Sequence, residues 1–493
     1  MSELATSGGA MSDAEIARFL HEAEARLGLF EPSVDGWSAW QLLRFPVAAE
    51  LARASPSSPT GTRSFGRSGL IRRGVADWTR YVRLPKAPVL AKSFASALAE
   101  IQDDGRYRDV FLDDVLDVVG SHVKIEVQNA RGRGGGSRAV HLPPSAATVG
   151  IELGARVLGR LERSEEVSDA AAFLGDAIST ELGVGGFDPV VVERRLRSFR
   201  GARRLYGRVL DRVRPRFVLV ADTGEFELFA AAKERGIRCV ELQHGIFTRD
   251  HPHALGITAA PYRERLIVPD ALLLFGRHWE DELRAGGFYG DELRVTGSPR
   301  IDRFRARRVD ARPRDEQECR VLVTSQGIAT EELAQFLAET MALARAAGFA
   351  CSLDVKLHPI YDASSQESYG RMLQGGDVRI LASDQRPSTL ELLSAADAHV
   401  SISSACHYES LGIGVPTIVL PLPGHDHVLP LVAAGHAALA AAPAELLRLL
   451  RESRDLRVPE EVSGRYYRPG ALERIAGELG HPLSAGSQSS RPA

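Results

Sequence analysis

Cysteine is scarce: four in 493 residues, Cys239, Cys319, Cys351 and Cys406, far apart, with no CxxC pair and no metal-ligand spacing. That excludes a disulfide framework or a zinc ribbon and suits reduced core thiols of a cytoplasmic protein. No window reaches the roughly 20 apolar residues that a membrane-spanning helix needs. Met1 to Ala10 lacks a basic segment followed by an apolar one, so no secretory leader is expected. Net charge is nearly absent too, −3 in total, which removes any general attraction to nucleic acid or an anionic membrane; anions must be met at local sites. Repeats of solenoid period are missing. What remains is a globular composition, 44% hydrophobic and 25% charged, over a length that allows two or three domains.

Apolar residues at helical spacing, among them Ile16, Leu20, Leu27, Trp40 and Leu43, predict a helical N-terminal segment. A Ser-, Pro-, Gly- and Arg-rich stretch from Ser55 to Arg67 reads as an exposed linker, so residues 1–80 stand apart. Residues 81–303 read as a first α/β lobe. In it, the basic, glycine-rich stretch His122 to Arg138 reads as a surface loop, with an anionic acceptor or membrane headgroups as its conceivable contacts. Asp188-Pro189 reads as an N-cap with proline in the first helical position, opening a charged helix that stops near Arg214-Pro215.

Beyond it, strand Phe217 to Ala221, helix Glu225 to Arg235 closed by Gly236, and strand Arg238 to Leu242 form one βαβ unit. The alternation continues with strand Ala271 to Phe275, helix Arg277 to Ala285 and strand Leu293 to Val295. After a polar stretch, Asp310 to Glu318, a second lobe (304–480) carries strands at 320–324, 352–356, 378–381, 399–402 and 417–420 and a terminal helix from Pro443. Residues 481–493 read as a disordered tail. The fold class that follows is α/β, two Rossmann-like lobes with parallel sheets and a helical N-terminal segment.

Polar residues that the fold does not need gather where strands end, the place at which open α/β sheets bind ligands. Lys356-Leu-His358-Pro359 offers an ammonium and an imidazole beside a rigid turn, suited to phosphate; a capped strand end is the plainer alternative. Ser403-Ser404 leaves a strand and opens a helix, presenting hydroxyls and free N–H groups at the positive end of the dipole; an ordinary serine N-cap would look the same. Glu409 follows in that helix, placed to hold ribose hydroxyls. In the first lobe, His244 of Gln243-His244-Gly245 is the first candidate for a general base, with Asp222 and Glu225 of Asp222-Thr-Gly-Glu225 as rival carboxylates or as a helix cap. His251 and His253 lack metal-ligand geometry, and no metal site is expected.

Together these motifs resemble the GT-B glycosyltransferases of bacterial surface and capsular polysaccharide synthesis: CDP-glycerol glycerophosphotransferases, sialyl- and polysialyltransferases, and Kdo transferases. The resemblance spans about Phe217 to Leu420 and rests on His244-Gly245, on Gly297, Pro299, Arg300 and Asp302 of a Gly-x-Pro-Arg-x-Asp segment, on His358-Pro359 and on Ser403-Ser404. It implies metal-independent transfer of a sugar or glycerophosphate-like unit, without a cofactor, from a CMP- or CDP-linked donor to a glycan or lipid-linked acceptor. In that reading Lys356, His358, Ser403 and Ser404 bind donor phosphate. Pro359, Gly297, Arg300 and Glu409 line the nucleotide, and Asp222 or His244 deprotonates the acceptor. The sialyltransferases carry an acidic pair before glycine where this chain has Asp222-Thr223-Gly224, which favours His244. The location implied is cytoplasmic, with or without peripheral contact at the inner membrane, and nucleic acid is not an expected partner. Two rivals stand beside it: a non-hydrolysing UDP-sugar 2-epimerase, which shares the two-lobed fold, and a non-catalytic scaffold of a polysaccharide-export complex.

Overall fold

A computed structural model describes residues 11–480, apart from 54–66, 94–99, 102–106, 127–144, 162, 311–317, 359–361, 363–364, 374, 376, 383–385 and 454–455. The linker at 55–67 and the tail at 481–493 therefore lie almost wholly outside the described residues. The chain divides into two compact units. The first comprises residues 1–274, 279–295 and 475–493, and the second 275–278 and 296–474.

The first unit is built on a seven-stranded sheet. Its strands in chain order are β1 (Val89–Lys92), β2 (His122–Glu126), β3 (Ser145–Ala147), β4 (Phe217–Val220), β5 (Arg238–Leu242), β6 (Ala271–Leu274) and β7 (Leu293–Val295). Their spatial order is β7-β6-β5-β4-β1-β2-β3, and every pair is parallel. The chain thus winds outward in both directions from β1 and β4, and the strand order reverses between these two. β1 and β4 are buried along their whole length, β4 as a continuous apolar run and β1 with the single charge of Lys92 at its end. The N-terminal helices Asp13–Leu27 and Gln41–Arg53 join this unit: Ile16, Leu20, Trp40 and Leu43 share a core with Val167, Leu174, Val192 and Leu196 of the helices Glu165–Asp176 and Pro189–Val213. The cap expected at Asp188 is present, its carboxylate accepting from the Val191 N–H at 2.9 Å, and the helix ends at Arg214 with φ of 53°.

One expectation fails here. The basic stretch from His122 was read as a surface loop, but its first five residues are β2, with Lys124 buried against the Asp113 carboxylate at 2.6 Å. An ion pair inside the sheet replaces the apolar run by which strands are recognised; the rest of that stretch, from 127, lies outside the described residues.

The second unit repeats the pattern. β8 (Cys319–Thr324), β9 (Cys351–Lys356), β10 (Val378–Leu381), β11 (Ala398–Ser401), β12 (Thr417–Val419) and β13 (Ala438–Leu439) lie in the order β10-β9-β8-β11-β12-β13, all parallel. Its reversal point falls between β8 and β11. The expected fold class, two Rossmann-like lobes after a helical N-terminal segment, is what the chain adopts. Two helices beyond the one at Pro443, Glu460–Tyr466 and Ala471–Glu478, were not anticipated. Nor was the pairing of Cys319 with Cys351, which face each other in the register of β8 and β9 and remain free thiols.

Candidate functional site

In the first unit the crevice at the reversal point is formed by the ends of β1 and β4. Lys92, the last residue of β1, pairs with Glu225, which lies between β4 and the helix Phe226–Lys233; both side chains are buried. Burial alone would push the Lys92 ammonium down, and the carboxylate of Glu225 more than offsets this, so its affinity for the proton rises. Asp222, three residues before Glu225, has its carboxyl pushed up to about 7. Burial is the main cause, the charge of Glu225 adds to it, and Lys92 opposes.

Next to it on β5, Glu241 is held in the sheet by the Thr223 hydroxyl, and burial pushes its carboxyl up to about 8. Thr223, Gly224, Glu225, Glu241, His253 and Tyr289 line a cavity of about 30 Å³, room for one water-sized group. Gly224 has φ of +145°, and a Cβ there would stand 3.1 Å from the His253 ring, so both backbone and space call for glycine.

His244 follows β5. Its ring meets Phe111 edge-on at 6.1 Å, and burial lowers the imidazole to about 4, leaving it neutral at physiological pH. His251 and His253 form a stacked pair at 5.8 Å, and His253 also lies flat on Phe45 at 4.1 Å. Among the described residues no group of three or more His, Cys, Asp or Glu side chains could hold a metal ion.

In the second unit β8 and β11 end side by side. Ser403, just past β11, donates its backbone N–H to Gln326 Oε1 at 3.0 Å, and His358, just past β9, donates its own to Ser325 Oγ at 3.2 Å. Ser325 and Gln326 follow β8, so three strand ends are tied into one polar rim. The Ser404 hydroxyl accepts from the Cys406 N–H at 3.2 Å, just before the helix Cys406–Ile413, whose N-cap position is Ala405. Beneath the rim, His399 bridges Thr324 (2.9 Å) and Thr417 (2.8 Å), and His407 reaches the same Thr417 hydroxyl at 2.6 Å, which fixes β8, β11 and β12 against one another. Burial lowers the His358 imidazole, with Asp362 opposing.

The remaining described residues singled out from the sequence have partners of their own within the fold. Lys356 is 3% exposed and spends its ammonium on the carbonyls of Ala382 (2.8 Å) and Pro387 (3.0 Å). Arg300 and Glu409, both expected to line a nucleotide, meet each other at 3.3 Å. Gly297 has φ of +102°, and a Cβ there would stand 2.1 Å from the Arg468 carbonyl oxygen, so its close backbone approach serves the packing of this segment. Pro359 lies outside the described residues. Sequence reasoning passed over Lys92, Glu241, Ser325 and Gln326. Only Glu241 left a trace, as a carboxylate within the buried strand Arg238–Leu242; the others acquire meaning from partners on distant strands.

A scan of protein-family models and a search of curated proteins each find no match. Solved structures with a similar chain path include UDP-GlcNAc 2-epimerase from Neisseria meningitidis bound to UDP-GlcNAc, at 13% identity and TM-score 0.45, covering 79% of this chain and 98% of that one. The UDP-GlcNAc 2-epimerase of Methanocaldococcus jannaschii gives 11% and 0.46, with 80% and 99% covered. MurG of Acinetobacter baumannii gives 13% and 0.37, with 57% and 80% covered. Among the described residues no helix is long and apolar enough to cross a membrane.

Proposed function

We propose that this chain is an enzyme acting on a nucleotide-activated sugar: the second unit carries a phosphate grip, and the first carries groups suited to proton transfer. The observation that carries the reading is the polar rim where β8, β9 and β11 end: Ser325, Gln326, His358, Ser403 and a helix start converge at a strand-order reversal, the place where Rossmann-like sheets take anionic ligands. Lys356 leaves the grip, because backbone carbonyls hold its ammonium, and Arg300 leaves the nucleotide lining, because Glu409 answers its charge. The leaving phosphate is then stabilised by His358 and by N–H and O–H donors, a form of charge stabilisation that requires no metal.

Glycosyl transfer is the first reading, with the acceptor hydroxyl deprotonated by Asp222. A base works best with an affinity for protons matched to the working pH, and Asp222 at about 7 meets that condition where His244 at about 4 does not. A CMP- or CDP-linked donor rests on the resemblance of the motifs alone.

The second reading, 2-epimerisation of a UDP-sugar, is favoured by one feature. Asp222 and Glu241, both able to carry a proton near neutrality, lie close enough for the charge of Asp222 to act on Glu241, and inverting a carbon centre by proton transfer requires one group to take a proton and another to return one. Thermal shift across CMP, CDP, UDP and GDP, followed by incubation of the purified chain with UDP-GlcNAc alone, separates the two. Epimerised product without an acceptor selects the second reading; stabilisation by CMP or CDP with no such product selects the first. His358→Ala should abolish the nucleotide-induced shift while the unliganded melting point stays within a few degrees; an undiminished shift rejects the phosphate site.

A further inference from the structure

An open groove of about 610 Å³ runs between the helices Val149–Leu161 and Pro189–Val213 of the first unit, and it is lined by five arginines, Arg156, Arg160, Arg194, Arg195 and Arg197. Among the described residues Arg197 pairs with Glu193 one helical turn away, while Arg195 rests over the Phe187 ring at 5.2 Å and feels the charge of Glu50. Among the described residues no carboxylate lies within ion-pair distance of Arg156, Arg160 or Arg194. Several other arginines of this unit are paired: Arg44 with Glu24, Arg108 with Asp114 and Asp117, Arg203 with Asp35 and Glu234, Arg235 with Asp211. Three guanidinium charges without a carboxylate at ion-pair distance are thereby gathered in one concavity.

We propose that the groove binds a linear phosphate-bearing polyanion. Three observations select that partner. Arg156 and Arg160 stand one turn apart on one wall, about 6 Å along the helix axis, facing Arg194 on the other, so guanidinium forks recur along a path rather than converge on a point, which suits successive phosphates and not a single ion. The remaining lining is Ala155, Gly159, Val190, Val191, Ser198 and Glu193, the last engaged with Arg197, with no ring on which a base could stack, which argues against single-stranded nucleic acid. The surface is concave, whereas a bilayer needs a convex or flat basic face. The binding is independent of whichever reaction the chain catalyses.

Fluorescence anisotropy of the full chain with labelled long-chain inorganic polyphosphate tests it. Affinity should fall steeply with salt, and the Arg156→Gln/Arg160→Gln/Arg194→Gln variant should bind at least tenfold more weakly, with the log–log salt slope reduced by about one per lost contact. Arg160→Lys, which keeps the charge but loses the fork, should show a smaller loss. A control that removes three exposed charges of the second unit, Arg371→Gln/Arg448→Gln/Arg457→Gln, should stay within twofold of the parent, and circular dichroism verifies that every variant is folded. Absence of binding, an equal loss in the control, or tighter groove-dependent binding of single-stranded DNA or of phosphatidylglycerol vesicles at equal phosphate concentration would each overturn the proposal.

Discussion

Asp222 and His244 compete for one proton, and burial treats them in opposite ways: it raises the carboxyl to about 7 and lowers the imidazole to about 4. The pH profile of kcat/KM therefore distinguishes them. With Asp222 as base, activity should fall below about pH 7, and Asp222→Asn should remove it by at least a hundredfold; a limb near pH 4 would assign His244 instead. Glu241 gives a stability counterpart. Burial pushes its carboxyl up to about 8 in the fold, from 4.5 for a free glutamate, so the native state binds the extra proton and the parent loses stability as pH rises between those values. Glutamine at 241 does not titrate. Glu241→Gln should match the parent near pH 5 and gain on it towards pH 8, by roughly 1–3 kcal/mol; melting curves at both pH values check this, and a constant difference would show that Glu241 stays charged.

At the scale of elements, two packing devices hold the first unit's crevice. The buried Lys92–Glu225 pair ties the end of β1 to the segment after β4. Lys92→Met strands a buried carboxylate and should cost about 3–5 kcal/mol in urea unfolding; a loss below 1 kcal/mol would mean that the pair does little to hold the two strand ends together. The helix Pro189–Val213 meets Val149–Leu161 through Gly201, where a Cβ would stand 2.7 Å from the Ala155 carbonyl oxygen. Gly201→Ala should cost roughly 1–3 kcal/mol by forcing the helices apart, measured in the same way.

These elements also show what could be read in advance. β4 and β6 are apolar runs closed by turn residues, and their positions follow from that pattern. β2 does not, because Lys124 is buried by pairing with Asp113, and a charge in a strand resembles a loop until its partner is known. The polar rim was half legible for the same reason: His358 and Ser403 stand out beside their turns, but Ser325 and Gln326, which order them, look ordinary until β8 is laid between β9 and β11.

For the molecule as a whole, the chain enters the second unit at residue 296 and returns to the first at 475. Ile475, Ala476 and Leu479 are buried, and Arg238 at the start of β5 donates to the Glu478 carbonyl at 2.6 Å. Deleting residues 475–493 should therefore destabilise the first unit by several kcal/mol, on the order of 2 or more per large buried side chain, read as accelerated proteolysis of fragments ending before 295; equal protease resistance would mean that the return is ornamental. That return also sets a timetable. A ribosome that has finished β5 must add more than two hundred residues before the segment that closes on it emerges, so the nascent first lobe spends much of its synthesis with one flank uncovered, the interval in which chaperones would have most to protect.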